Sequence, residues 1–195
     1  MSGITPSQTV GPYFAYGLNP LDDYDWKQTL TNNLVTSDAS GERIRIEGRF
    51  FDGDGKLISD GLLEIWQADA QGRYAHPRDE RRPNAKFSGF GRAGTDKDGV
   101  YRFTTIKPGA VPGPDGTMQA PHIVVVAFAR GMTRQVYTRI YFADEGANAT
   151  DPILALVPDD RRATLIAKRE EGKDGPLYRF DIHLQGEQET VFFDL

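Results

Sequence analysis

The chain has 195 residues, no cysteine and a formal net charge of −5. Its length fits one all-β or α/β domain or two small ones, and a chain of this size buries roughly 70% of its unfolded surface. The missing cysteines exclude disulfides and thiolate metal sites and suit a reducing compartment, while the negative charge speaks against a nucleic-acid footprint and leaves any anionic substrate in need of a local cation.

The opening "MSGITPSQTVGPYF" has no basic start and no apolar core, so it does not read as a signal peptide. No apolar run reaches the ~18 residues of a membrane span, and a soluble, cytoplasmic protein is expected. Residues 1–20 are irregular and rich in proline and aromatics, an arm that packs on something. "DDYDWKQTLTNNL" sets Trp26, Leu30 and Leu34 at i, i+4 and i+8, which predicts a short helix capped by Asp22 or Asp23.

Strands follow. "RIRIEGRFF" alternates Ile44, Ile46, Gly48 and Phe50 with charged residues. "DGDGK" turns the chain and "LLEIWQADA" is expected to return it as a hairpin. "GVYRFTTI" lies between the turns "TDKDG" and "KPG". "HIVVVAFAR" reads as a strand buried on both faces. "TRQVYTRIYF", "LYRFDIHL" and a last "TVFF" predict further strands, and "PDDRRATLIAKRE" has the cap, pattern and basic end of a short helix. Short strands with Gly/Asp turns, no repeat and no linker predict an all-β, single-domain β-sandwich over residues 1–195.

"DGDG" and "DKDG" resemble the start of a calcium loop, but the fifth positions are Lys56 and Val100, so both read as turns. Of three histidines, His76 lies in a polar loop and His183 alternates onto a solvated face. His122 alone opens an apolar strand, where a lone histidine is more often a hydrogen-bonded core residue than a ligand. Residues i and i+2 of a strand share a face, so a His-x-His there would offer two imidazoles to one ion. This chain has His122-Ile123-Val124, and valine cannot bind metal.

"GLLEIWQADAQGRY", "TDKDGVYRFTTIKPG" and "APHIVVVAFARG", in this order, resemble the intradiol ring-cleavage dioxygenases. "TPSQTVGPY" and "RFDIHLQGEQETVFFDL" narrow the likeness to members built from two chain types of one fold, α and β. The resemblance covers nearly the whole chain. It implies a sandwich with an irregular N-terminal arm and short helices, and an enzyme that cleaves protocatechuate with O2. In the iron-bearing β chain, two tyrosines and two histidines hold Fe(III). The matching positions here are Tyr74 in "GRY", Val111 in the loop after "KPG", His122 and Val124. The "WRP" that usually precedes the histidines is "MQA" at 118–120, so its arginine is missing too. Two of four donors remain, and one phenol with one imidazole is a poor set for a hard ferric ion.

The resemblance therefore implies that this chain holds no iron and that the partner β chain does. It assigns Thr9, Gly11 and Pro12 of the arm, and Arg130 of "FARG", to the substrate pocket of that partner. The arm, residues 1–20, would dock on it. Spacing is consistent with this division: eight residues at about 3.3 Å put Arg130 about 26 Å from His122, too far to serve the degenerate position. A guanidinium at the strand's far end can meet a carboxylate with two parallel hydrogen bonds. Two alternatives stand beside it: a self-sufficient enzyme using substitute ligands such as Tyr101, Tyr137, Tyr141 or His183, and a non-catalytic β-sandwich binding module with no β partner.

Overall fold

The computed structural model describes residues 18, 31–37, 39–81, 87–113 and 116–194. Thr9, Gly11 and Pro12, and the helix expected around Trp26 and Leu30, lie outside the described residues.

Strand β1 (Arg43–Phe51) buries Ile44, Ile46, Gly48 and Phe50, as its alternation dictates. It pairs antiparallel with β4 (Val100–Ile106) from Arg43↔Ile106 to Arg49↔Val100. On its other edge it runs parallel to β10 (Gly175–Arg179) and β11 (Ile182–His183). Strand β9 (Ile166–Gly172) pairs with β10. In the second half, β2 (Leu62–Gln67) lies between β3 (Phe90–Gly94) and β7 (His122–Phe128), and β8 (Val136–Phe142) flanks β7. A parallel contact, Tyr141↔Ile166 and Phe142↔Ala167, joins β8 to β9 and links the halves into one strand path. A separate ribbon is formed by β5 (Val111–Pro112) and β6 (Met118–Gln119).

The two halves face each other across one core. Ile44, Ile46 and Phe103 from one meet Leu63, Ile65, Ile123, Val125 and Ile140 from the other, all at most 1% exposed. Each such side chain stabilises the fold by about 1.5–3 kcal/mol relative to exposure. Gly48 is required by a close approach: a Cβ there would stand 1.7 Å from the Phe180 carbonyl oxygen. The all-β sandwich expected from the sequence is the architecture found.

Four local expectations change. "DGDGK" does turn the chain, with Asp52 Oδ1 accepting from the Asp54 and Lys56 amides at 2.9 and 2.8 Å. Only Phe51 and Leu57 pair across it, however, and β2 then joins the opposite half. The segment 158–170 is no helix: one 3₁₀ turn, Arg162–Leu165, leads into β9. Leu165 and Ala167 are wholly buried where the halves join, so pairing and burial override helix propensity. "TVFF" gives one bridge, Tyr137↔Phe193, rather than a strand. Strand β7 is fully buried at Ile123, Val125 and Ala127, but Val124, Val126 and Phe128 are half-buried.

Candidate functional site

The loop after β2 is built from its own sequence. Gln67 ends the strand and spans two segments: Nε2 donates to the Ile106 carbonyl at 2.9 Å, and Oε1 accepts from Thr105 Oγ1 at 2.7 Å. This ties "WQADA" to "TIKPG". Asp69, 2% exposed, folds "DAQGR" around its carboxylate, which accepts from the Gln71 and Arg73 amides and from Arg73 Nε at 2.9–3.0 Å. Burial opposes that charge, but the Arg73 hydrogen bonds outweigh it and hold the carboxyl below its ordinary value. Gly72 has φ +71°, and a Cβ on it would meet the Ala110 oxygen at 1.9 Å. A side chain there would push the "KPG" loop away.

This loop delivers Tyr74 beside Trp66, rings stacked at 6.0 Å and 8°. The Tyr74 amide donates to Asp79 Oδ2 at 2.8 Å, and Arg81 clasps the same carboxylate and the Gly72 carbonyl. The Arg81 hydrogen bonds hold Asp79 well below the usual carboxylate range. Trp66, Tyr74, His76, Arg78, Asp79, Glu80, Arg81 and Pro112 line a cavity of about 590 Å³.

Val111 sits on β5, 4% exposed, opposite Gln119. His122, 4% exposed, places Nδ1 2.8 Å from the Ala120 carbonyl oxygen. Only a protonated Nδ1 can make that bond, so the neutral ring leaves its lone pair on Nε2. Burial first, then the charge of Arg139, lowers the imidazole to about 4. Beneath it, Asp151 accepts from the Ala120, Ile153 and Leu154 amides and from the Tyr141 hydroxyl, at 2.7–3.1 Å.

The four positions converge on a residue the sequence reading passed over. Arg139, on β8, is the direct cross-strand partner of Val124. Its Nη1 donates to Gln119 Oε1 at 2.7 Å, beside Val111, and to the Tyr141 hydroxyl at 3.3 Å. The Tyr141 ring lies 5.7 Å from that of His122. Burial pushes the Tyr74 phenol up, and Arg139 is the strongest of the charges opposing that rise. Tyr74, His122 and Val124 thus lie near a guanidinium, and Val111 pairs with the glutamine that this guanidinium bonds. The signal was present in "YTRIYF", a charged residue in an otherwise apolar strand.

Arg130 stands apart. It follows β7, its side chain is 68% exposed, and its Nε pairs with Asp60. His76 is exposed, as expected, whereas His183 is half-buried and stacked on Phe51 at 4.4 Å, so its face is only partly solvated. Other tyrosines are committed elsewhere: Tyr101 donates to the Phe180 carbonyl, and Tyr137 accepts from Gln135. Among the described residues no three His, Asp or Glu side chains form a metal-binding group.

A family model described as "Dioxygenase" matches residues 10–186. The protocatechuate 3,4-dioxygenase alpha chain of Burkholderia cepacia is 48% identical over 98% of this chain and 97% of its own length. The beta chain from the same organism is 38% identical over 91% of this chain and 77% of its own. A dioxygenase domain from a carbohydrate-binding fusion protein of Streptomyces sp. SirexAA-E superposes with a TM-score of 0.63 at 30% identity, over 93% of this chain and 97% of that one. With the strand order, the "WQADA" and "KPG" loops and the full-length matches in agreement, the chain belongs to the intradiol ring-cleavage dioxygenases.

Proposed function

We propose that this chain is the alpha-type subunit of a protocatechuate 3,4-dioxygenase. It works in the cytoplasm as a single dioxygenase-like domain that completes the substrate pocket of an iron-bearing beta chain. One observation carries the division of labour: the four family ligand positions hold Tyr74, Val111, His122 and Val124, gathered about the cation Arg139. Two valines supply no donor, and a fixed positive charge repels a ferric ion. These residues do not fit iron.

Ferric iron held by the partner would supply activation of the catecholate toward O2; the bond between the two hydroxyl-bearing carbons breaks, and each of those carbons takes one atom of O2 to become a carboxylate of 3-carboxy-cis,cis-muconate. This chain's own part is to bind and orient. Arg130 takes the substrate carboxylate. Asp60 engages its Nε, and the exposed guanidinium keeps an edge for a second anion. Thr9, Gly11 and Pro12 form the pocket wall on the docked arm, residues 1–20. Orientation of this kind is worth several kcal/mol in rate.

Oxygen uptake with protocatechuate tests the reading on the chain, the co-expressed beta chain and their complex. Activity should be greatest in the complex. Turnover by this chain alone, or no association with the beta chain, would overturn it; the latter would favour the stand-alone binding module.

A further inference from the structure

We propose that Arg139 turns the family's metal position into an anion site, and that the cavity beside it takes a planar aromatic carboxylate. Several other half-buried arginines here face carboxylates: Arg73 meets Asp69, Arg92 meets Glu64, Arg179 meets Glu47, whereas Arg161 donates to the Glu189 backbone carbonyl. Arg139 is also half-buried, yet its hydrogen bonds go to the neutral Gln119 and Tyr141. Among the described residues it makes no ion pair. The nearest acid in its network, Asp151, is one hydroxyl removed and already accepts four hydrogen bonds. A half-buried cation held only by neutral groups, with the Phe193 ring 5.8 Å away, is a site that an anion completes.

The cavity supplies the rest of the ligand. Trp66, Val124 and Arg139 are successive cross-strand partners on one face of β2, β7 and β8. Trp66 therefore stands two strand spacings, about 10 Å, from Arg139. The nearly parallel Trp66 and Tyr74 rings offer flat apolar faces, and the volume of about 590 Å³ lies within the range of small-molecule sites. A flat ring against those faces and a carboxylate toward the planar guanidinium fork match both features. The inference rests on the absence of iron at this position but not on a partner chain.

Isothermal titration of the full-length, chelator-treated chain with benzoate and with its neutral isostere benzamide tests the site. Benzoate should bind one-to-one and at least 10-fold more tightly than benzamide, and Arg139→Gln should weaken benzoate at least 10-fold. Equal affinities, or no benzoate heat, would overturn the proposal even if Arg139→Gln fails to fold. So would loss of binding in Arg130→Ala but not in Arg139→Gln, because the ligand would then lie in the pocket wall. Binding that requires added ferric ion would sink both this inference and the iron-free reading. Lack of binding without iron uptake would sink this inference alone.

Discussion

His122 makes stability depend on pH in a window of its own. Burial and Arg139 lower the folded imidazole to about 4, against 6.5 for the unconstrained side chain. Between those values the unfolded chain binds a proton that the folded chain refuses, so stability rises with pH. The contribution is complete above about pH 6.5 and is lost as the pH falls toward 4. The full shift corresponds to about 3 kcal/mol, most of which should disappear between pH 7.5 and 4.5. Asp69, Asp79 and Asp144 are lowered from 3.8, so their contributions are lost mainly below this window. Urea unfolding of the chain and of His122→Asn at both pH values isolates the effect. The variant should lose about 2–3 kcal/mol less than the parent on acidification. An equal loss in both proteins would refute the neutral, buried imidazole.

Gly72→Ala should destabilise the chain by more than about 1–3 kcal/mol in urea, because the residue has positive φ and its Cβ would strike the Ala110 carbonyl. Asp151→Ala should cost at least about 3 kcal/mol by thermal or urea unfolding, since it strips the acceptor from three amides and the Tyr141 hydroxyl; Asp151→Asn should cost less. In the complex, Arg130→Ala should raise KM for protocatechuate about 10- to 100-fold, the value of a charge-assisted bidentate contact; an unchanged KM would remove its role.

The sandwich was legible because its strands carry two-residue alternation, as β1 does at Ile44, Ile46 and Phe50. The calcium-like "DGDG" and "DKDG" also read correctly, because Asp52 and Asp96 turn their carboxylates onto their own backbones. The 158–170 helix misread a local pattern: nothing in "RRATLIAKRE" shows that Leu165 and Ala167 seal the joint between the halves. Val111 and Val124, the donor-less residues that the resemblance sets at ligand positions, were proposed from order along the chain. Arg139 was not, because its meaning comes from register across three strands, which places it opposite Val124 and beside Gln119. Asp60 was missed likewise, since its partner Arg130 is brought to it only by the fold.

The central claim is that this chain contributes pocket and orientation but no iron. Titrating the isolated, folded chain with ferric ion while recording visible absorbance tests it most directly. The account predicts no stoichiometric uptake and no tyrosinate-to-iron charge-transfer band, with both appearing only when the beta chain is present. One tightly bound ferric ion per isolated chain, with that band, would contradict it.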